Sequence, residues 1–409
     1  MKKPGWIAVA GIGIFSGAFY LATSFLLRRW LGGSPTVASH LSDEENHNPV
    51  LTAQRPPNCQ DPVTFFRPIK TGEANLRKNL EVFLAAVDPG DQVIFSATAP
   101  EELRLCDDLA AGHPGLDITC LQAAEKIHRN PKINKLAQME PLATRERWIA
   151  LDGDAMPDRG FLQEFRAEWQ AINSDAISAP YAFQPARTLP SRLDALGTAL
   201  ALWPGVALLR STGPLDFLTG ACMGVRASAL REFGGWKCLG NSLADDNELG
   251  RIISRAGGRV DIASAVLAIE APDLTWKEWI LHQHRTFVTF RLCNPAGSLG
   301  IPLTHGAGLS FLFVLLSPRS PARWLLHLSL LLIRAESAKP LPGPPSKLRD
   351  IWVVSLLEPF FWLLSWVPLP VWWAGRWIRP ENSGRKLELK TWELTRPPAS
   401  VNSAPLSRV

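Results

Sequence analysis

Long apolar runs at both ends of the chain enclose a central part in which short apolar and polar segments alternate. This pattern divides the 409 residues into five predicted parts. They are an N-terminal transmembrane anchor (residues 1–30), a linker (31–57), a globular α/β domain (58–295), C-terminal membrane and interfacial helices (296–380) and a polar tail (381–409).

The first apolar run covers residues 6–27, long enough to cross a hydrocarbon core of ~30 Å. It continues into Arg28-Arg29-Trp30 without the small-residue cleavage site of a signal peptide, which predicts an uncleaved anchor. Because basic residues flank both ends of the run, the charge pattern determines its direction of insertion only weakly.

In the central part, apolar segments of strand length alternate with segments of helical periodicity. The first predicted elements are strands at residues 63–66, 91–96 and 116–120 and helices at 75–86 and 101–110. The later ones are a strand ending at Leu151, a helix at 161–172, a strand at 176–182, a helix at 227–233, an edge strand from Gly257 and an amphipathic helix at 276–290. Residues 204–218 fit neither pattern. The alternation predicts a mostly parallel sheet with crossover helices.

Three further apolar runs follow, at residues 299–316, 324–333 and 351–373. The second is too short to span a bilayer, and Glu358-Pro359 interrupts the third. Tryptophans are scattered through this region, as they are at membrane interfaces. We therefore expect a mixture of spanning and interfacial helices, followed by a polar tail that is disordered at its end.

Composition and charge narrow the class of protein. Charged residues make up 20% of the chain, below the roughly 25% of soluble domains. The net charge of +5 comes from scattered basic residues, which argues against nucleic-acid binding. The six cysteines form no Cys-x-x-Cys pair, so the sequence indicates neither a zinc site nor a disulfide framework, and a reducing, cytoplasmic setting fits best.

The strongest chemical signal is Asp152-Gly153-Asp154, directly after an apolar strand. Ligands of open α/β sheets bind at the carboxyl ends of strands, and two adjacent carboxylates repel unless a cation lies between them. A hard divalent ion, Mg²⁺ or Mn²⁺, suits such oxygen ligands and bridges to phosphate. The alternative is a solvated Asp-Gly turn that closes a hairpin.

A second acidic pair, Asp245-Asp246, starts a predicted helix. Acids at a helix start also suit the helix dipole, so local capping is a competing explanation. The amphipathic helix at residues 276–290 carries the basic segment His282-Gln283-His284-Arg285.

The order of these motifs resembles that of membrane-bound GT-A glycosyltransferases. The resemblance is closest to the ceramide glucosyltransferase family and its bacterial relatives, the hopanoid-biosynthesis glycosyltransferases. It includes residues 63–72, Asn130-Pro131-Lys132, Asp152-Gly153-Asp154, Asp245-Asp246 and the basic helix at Arg285. It implies a GT-A α/β fold at residues 58–295 and transfer of a sugar, with inversion, from a nucleotide-sugar (a UDP-sugar) to a hydroxyl of a ceramide-, hopanoid- or similar lipid.

The resemblance also implies roles for single residues. Asp152 and Asp154 would hold Mg²⁺ or Mn²⁺ against the donor diphosphate, and Asp246 would take the proton of the lipid hydroxyl. Arg285 would bind the diphosphate or the product. Lys70 and Lys132 lie in stretches that resemble donor-binding loops, with ordinary surface lysines as the alternative.

The sequence departs from the family pattern in three places. Ala99 stands where relatives carry an aspartate that helps to bind the nucleoside, and Glu101, Glu102 or Asp107 are the candidate substitutes. In the basic motif, His282 replaces Gln or Arg and Thr286 replaces Trp; we expect His282 to pack, with phosphate binding as the alternative. Asp245 replaces Glu, which moves a carboxylate by ~1 Å.

These departures keep other functions open. One alternative is a catalytically silent relative that binds a lipid or a partner protein. Another is a processive polysaccharide synthase, although the C-terminal region looks too short and broken to form its channel. The leading prediction remains a membrane-bound enzyme, in a bacterial inner membrane, whose catalytic domain faces the cytoplasm.

Overall fold

The computed structural model describes residues 4–32, 61–341, 347–382 and 387–391, with gaps at 71, 74, 125–126 and 185. Most of the predicted linker and the last part of the predicted tail lie outside the described residues.

A seven-stranded sheet forms the centre of the predicted globular domain, in the order β3-β2-β1-β4-β7-β5-β8. The strands of the domain are β1 (Val63–Pro68), β2 (Gln92–Ala97), β3 (Asp117–Gln122), β4 (Arg147–Leu151), β5 (Ala176–Ser178), β6 (Tyr181–Gln184), β7 (Cys222–Arg226), β8 (Val260–Ile262) and β9 (Leu267–Glu270). Strands β3, β2, β1 and β4 are parallel, and only β7 runs against its neighbours β4 and β5. The predicted mostly parallel sheet is confirmed, with β8 at its edge.

Helices cover both faces of this sheet and continue beyond it. They are α1 (Pro4–Leu31), α2 (Leu76–Ala86), α3 (Pro100–Gly112), α4 (Pro131–Met139), α5 (Arg159–Ile172), α6 (Leu189–Gly197), α7 (Trp203–Thr212), α8 (Ala227–Arg231), α9 (Asp245–Arg255), α10 (Trp276–Cys293), α11 (Pro295–Gly300), α12 (Gly306–Leu315), α13 (Pro321–Ala338) and α14 (Leu348–Ser365). A π-helical segment, Thr198–Leu202, joins α6 to α7.

The sheet separates two apolar cores. Because successive side chains of a strand point to opposite faces, Phe65 and Phe66 of β1 enter different cores. Phe65 packs against Phe83 of α2, with ring centroids 5.2 Å apart. Phe66 packs against Trp148 and Trp236 on the other face. Both faces are therefore buried, which fixes the strand register and the carboxyl edge where β1 and β4 end.

The predicted strand at residues 176–182 is two strands in the structure. β5 ends at Ser178 and pairs within the main sheet, whereas β6 starts at Tyr181 and pairs with β9. Pro180 lies between them and has no N–H to donate, so one continuous central strand is disfavoured there.

By length and composition, two described helices could cross a membrane: Ala10–Leu31 and Leu189–Thr212. A third span is counted if Pro295–Thr304 and Gly306–Leu315, bent by 47°, form one. The first helix lies where the anchor is predicted. The second helix, Leu189–Thr212, was not predicted from the sequence. The sequence pattern left residues 204–218 undecided and predicted no helix directly before them.

The last predicted apolar run, residues 351–373, differs from the prediction at two points. α14 continues through Pro359. Because proline has no N–H, the Ser355 carbonyl loses its usual helical donor at this position. This carbonyl faces Gly308 of α12 so closely that a Cβ on residue 308 would lie 2.1 Å from the oxygen. The run then ends in a strand, because β10 (Val371–Trp373) pairs with β11 (Arg376–Asn382). The first part of the predicted polar tail also forms a strand, because β12 (Leu387–Thr391) pairs with β11.

Candidate active site

The loop after β4 carries Asp152 and Asp154 at the carboxyl edge of the sheet. β4 pairs with β1 and β7 rather than with the segment that follows it, so the hairpin alternative for Asp152-Gly153-Asp154 is wrong. The loop is held by backbone hydrogen bonds, in which the Asp152 N–H donates to the Ala221 carbonyl at 3.0 Å and the Ala155 N–H to the Asp152 carbonyl at 3.1 Å.

Lys132 links this loop to the second acidic pair. Its Nζ lies 2.7 Å from Asp152 Oδ1 and 3.7 Å from Asp245 Oδ2, and it donates to the Gly220 carbonyl at 2.7 Å. Burial favours the neutral amine, but the charges of Asp152 and Asp245 outweigh it and raise the pKa of Lys132 above its usual value. Lys132 is therefore no ordinary surface lysine: it is a cation shared by two carboxylates.

The start of α4 positions Lys132 and Asp245 together. The Asn130 carboxamide caps this helix, accepting hydrogen bonds from the backbone N–H groups of Lys132 and Ile133. Its Nδ2 donates to the Ser242 carbonyl at 2.9 Å and to Asp245 Oδ1 at 3.2 Å. One side chain thus serves both as a helix cap and as a tether for the acidic helix α9.

Asp246 lies in the same electrostatic cluster. Its carboxylate is so close to Gly220 that a Cβ at that position would lie 3.2 Å from Oδ2. Burial, and then the neighbouring charge of Asp245, raise the pKa of Asp246 to about 7. Asp246 Oδ1 accepts from the Asn247 N–H at 2.7 Å, within the first turn of α9, whose N-cap residue Ala244 makes no side-chain cap. Asp245 turns instead to Lys132 and Asn130.

A buried arginine of β1 holds the loop that carries Asp152 and Asp154. Arg67, near the end of β1, is fully buried and donates to the carbonyls of Gly153 and Ala155 at 3.3 and 3.2 Å. The Glu73 carboxylate packs against Gly153, where an added Cβ would lie 2.0 Å from its Oε2. Only glycine leaves room for that carboxylate between the two aspartates.

Burial and mutual repulsion favour the protonated forms of the acids on this side. Burial, and then the charge of Asp152, raise the pKa of Asp154 to about 6, while Arg67 opposes the shift. Burial, and then Asp154, raise the pKa of Glu73 to about 7. A cation placed here would be favoured by all of these carboxylates.

Two further expectations concern the donor side. Lys70 is exposed, and its charge lowers the pKa of Asp154 and Glu73 slightly.

Ala99 is the N-cap residue of α3 and offers no side-chain cap, so the missing aspartate leaves a helix start without its usual acceptor. Of the candidate substitutes, Glu102 is buried and one of its carboxylate oxygens has no hydrogen-bond partner, whereas Glu101 and Asp107 are exposed.

The basic helix α10 approaches the site from the side of β6. Arg285 is partly buried, which lowers its pKa, and the charge of Asp194 opposes this shift. His282 does not simply pack: its Nδ1 lies 2.8 Å from Asp194 Oδ1. His284 is buried, and Thr286 is exposed.

Tyr181 is close enough to the acidic cluster and to Arg285 for their charges to interact with it. Burial is the main reason that the pKa of Tyr181 lies above its usual value. The negative charges of four nearby carboxylates raise it further: Asp246, Asp194, Asp152 and Asp154. Its ring packs edge-to-face on Trp203, with centroids 5.2 Å apart. Tyr181 also acts on Arg285, where, after Asp194, it opposes the lowering of the pKa by burial.

The donor atoms at the loop fit a divalent cation that is completed by substrate. Within the described ranges, no three histidine, cysteine, aspartate or glutamate side chains are grouped closely enough to hold a metal ion themselves. Mg²⁺ and Mn²⁺ are usually bound by one or two carboxylates together with phosphate oxygens and water. Asp152, 38% exposed at its side chain, and Asp154 supply two such carboxylates.

Sequence reasoning missed four residues of this arrangement: Arg67, Glu73, Asp194 and Tyr181. Arg67 carries a signal, because a charged residue inside an otherwise apolar strand requires a buried partner. Asp194 carried no usable signal, because its helix was not predicted. Tyr181 lies inside the strand predicted at residues 176–182, but nothing in that segment marks it as a site residue.

The family comparison agrees with this geometry. The model described as "Glycosyl transferase family 21" matches residues 34–385. The chain belongs to this family. It is a glycosyltransferase, and the resemblance to the ceramide glucosyltransferase family seen in its motifs is confirmed.

Three solved structures illustrate what the chain is similar to. The mannosyltransferase PcManGT from Pyrobaculum calidifontis, in complex with GDP-Man and Mn²⁺, is 14% identical over 87% of this chain and 97% of its own, with a TM-score of 0.47. S. aureus TarS 1–349, in complex with UDP-GlcNAc, is 12% identical over 81% of this chain and 99% of its own, with a TM-score of 0.38. Glucosyl-3-phosphoglycerate synthase from Mycobacterium tuberculosis is 16% identical over 57% and 79%, with a TM-score of 0.37. No curated protein matches the chain.

Proposed function

We propose that this glycosyltransferase moves a sugar from a nucleotide-sugar, most simply a UDP-sugar, to a hydroxyl of a membrane lipid such as a ceramide or hopanoid, with inversion at the anomeric carbon. The observation that carries the proposal is the gathering of Asp152, Asp245 and Asp246 around Lys132 at the carboxyl edge of the sheet. Oxygen ligands, a fixed cation and a base are the parts that transfer from a diphosphate requires.

The donor is held on the side of Asp152 and Asp154. These two carboxylates would bind Mg²⁺ or Mn²⁺, which supplies Lewis-acid stabilisation of the leaving diphosphate when bound. Lys132 keeps Asp152 oriented through the contact at 2.7 Å and neutralises part of the acidic charge that would repel a phosphate. Lys70, which is exposed and whose charge acts on Asp154, and Arg285 of α10 add positive charge for the diphosphate.

Asp246 is the general base. In a single displacement, the lipid oxygen bonds to the anomeric carbon as the bond to the leaving phosphate oxygen breaks, and the hydroxyl proton passes to Asp246. A carboxyl whose pKa is about 7 can both accept this proton and release it near neutral pH. No protein nucleophile is required for inversion.

Apolar helices next to the site support a lipid as the acceptor. The helix Leu189–Thr212, which carries Asp194, is long and apolar enough to lie in a bilayer, and so is the helix Ala10–Leu31. A lipid hydroxyl could then reach Asp246 from the membrane face. The enzyme accordingly belongs to a bacterial inner membrane with its catalytic domain on the cytoplasmic side, where nucleotide-sugars are made.

The test compares lipid extracts from cells that produce the wild type, Asp246→Asn or the surface control Asp108→Asn. Mass spectrometry should find a lipid with an added hexose or N-acetylhexosamine in the wild type and the control, and a loss of about 10²–10⁴-fold in the rate of its formation in Asp246→Asn. Thermal melting of each variant shows whether the fold is retained. Unchanged transfer by folded Asp246→Asn removes this residue from the mechanism.

A second candidate is a silent relative that binds a lipid or a partner. The observation that favours it is the uncapped α3 start at Ala99, where the nucleoside acid of relatives is missing. Isothermal titration with UDP- and GDP-sugars and Mn²⁺ separates the two functions: no binding of any donor supports the silent relative.

A further inference from the structure

The helix α6, which the sequence pattern did not reveal, contacts the basic helix α10 through one carboxylate. Asp194 is buried, with 6% of its surface exposed. Its Oδ1 lies 2.8 Å from His282 Nδ1 and accepts from Gln283 Nε2 at 2.7 Å. A single oxygen therefore holds two consecutive residues of the motif that ends in Arg285.

Asp194 is itself held in place from its own helix. The Thr198 hydroxyl donates to the Asp194 carbonyl at 3.2 Å, at the point where α6 passes into the π-helical segment. Single π-helical turns inside α-helices are frequent at functional sites. On another side of α6, Arg192 Nε donates to Asp350 Oδ2 of α14 at 2.8 Å, which anchors the helix independently of α10.

We infer that Asp194 is a positioning residue for Arg285, and hence for the diphosphate end of the donor. By fixing His282 and Gln283, it sets the rotation of the first turns of α10 and so the direction in which Arg285 extends. Its negative charge also faces Arg285 and Tyr181. This inference rests on the proposed function, because it assigns Arg285 to the donor diphosphate.

His282 has a defined part in this arrangement. It stands where the family carries Gln or Arg, and any of the three can donate a hydrogen bond to Asp194. The departure from the family motif therefore preserves the contact that matters for positioning. Phosphate binding by His282 is not required.

A double-mutant cycle on nucleotide binding tests the inference. The full-length protein in detergent, with Mn²⁺, is titrated with UDP and with GDP, and the dissociation constants of wild type, Asp194→Asn, Arg285→Gln and the double variant are compared. Loss of one charge-assisted contact weakens binding about tenfold. We expect Asp194→Asn to weaken binding to this extent and the double variant to bind no more weakly than Arg285→Gln alone.

The matched control is Asp350→Asn. This variant removes an equally buried acid that contacts the same helix, so it should lower thermal stability without weakening nucleotide binding. His282→Leu should weaken binding, whereas His282→Gln, which keeps a donor for Asp194, should restore most of the affinity.

The outcomes separate the inference from the proposed function. If the effects of Asp194→Asn and Arg285→Gln add, or if Asp350→Asn weakens binding equally, Asp194 is only structural and the inference is overturned, while the proposed function stands. If the wild type binds neither nucleotide, the proposed function fails and the inference fails with it.

Discussion

Replacing Lys132 with methionine tests the centre of the site most directly. Methionine keeps much of the length of the side chain but removes the charge that Asp152 and Asp245 share. It also leaves the Gly220 carbonyl without its donor at 2.7 Å. The variant therefore asks whether the acidic cluster is held together by this one ammonium group.

The cost can be estimated contact by contact. The pair with Asp152 contributes about 0–1 kcal/mol, because 38% of the Asp152 side chain is exposed to solvent. The hydrogen bond from a charged donor to Gly220 contributes about 1.5–3 kcal/mol. Asp245, 14% exposed at its side chain, loses its counter-charge, but it can take up a proton, which limits that penalty. We expect a total destabilisation of about 3 kcal/mol.

The destabilisation should depend on pH. Burial raises the pKa of Asp245 and Lys132 opposes this, so removing Lys132 raises the pKa further in the folded state. A carboxyl whose folded pKa lies above its unfolded value of about 4 stabilises the fold at low pH and loses that contribution as pH rises. The stability deficit of Lys132→Met should therefore be larger at pH 8 than at pH 5.5.

Thermal melting of the purified full-length protein in detergent at both pH values measures the effect. The control is Lys78→Met, which removes an exposed lysine from α2 and should melt with the wild type at both pH values. Sugar transfer by Lys132→Met should also fall, because Asp152 loses its orientation. A variant as stable as the wild type at pH 8, or a deficit that does not change with pH, would refute the reasoning.

Two further predictions concern protonation of the acids. The kcat/KM for sugar transfer should rise with pH and level off above about 7, because the base Asp246 must be deprotonated. Burial, and then Asp245, raise the pKa of this carboxyl to about 7. A kcat/KM that does not change from pH 6 to 8 contradicts this role. The rise in melting temperature caused by Mn²⁺ should be larger at pH 7.5 than at pH 5.5, because protons compete at Asp154, whose pKa burial and Asp152 raise to about 6. In Asp154→Asn this pH dependence should disappear, and equal Mn²⁺ shifts at both pH values in the wild type would show that Asp154 is not a ligand.

The parts of the fold that the sequence predicted well have a clear local period. Leu76, Leu80, Phe83 and Leu84 form one buried face of α2, and the apolar segment before Asp152 is the buried strand β4. From such elements the mainly parallel sheet and the position of Asp152 at its carboxyl edge followed directly. Asp245 and Asp246 were placed correctly at a helix start for the same reason.

The contacts between elements could not be predicted in this way. Nothing local in the sequence shows that Lys132 reaches Asp152 and Asp245, which lie 20 and 113 residues further along the chain. The same holds for Arg67, whose partners Gly153 and Ala155 come from another strand end. Periodicity reports which face of an element is buried, whereas the chemistry of the site depends on which buried faces meet.

Helix α6 shows a second reason for failure. Its segment contains Pro190 and Gly197, and the next helix begins Trp203-Pro204, so local signals describe a broken region. In the structure the prolines occupy first-turn positions, where a missing N–H costs nothing, and the π-helical segment joins the two pieces. The element that carries Asp194 was therefore hidden by residues that start helices as well as end them.

The charged residues of the C-terminal helices α13 and α14 lead to a similar conclusion about contacts between elements. Arg334 of α13 and Glu358 of α14 look like obstacles to membrane insertion when each helix is judged alone. In the structure both are buried and form an ion pair, and Arg334 also lies over the ring of Tyr20 of α1, 5.3 Å from its centroid. His305, 3.6 Å from Glu358, completes the contact. These charges therefore satisfy one another between α1, α13 and α14. The exposed surface of α13 and α14 carries apolar residues such as Leu325 and Phe360.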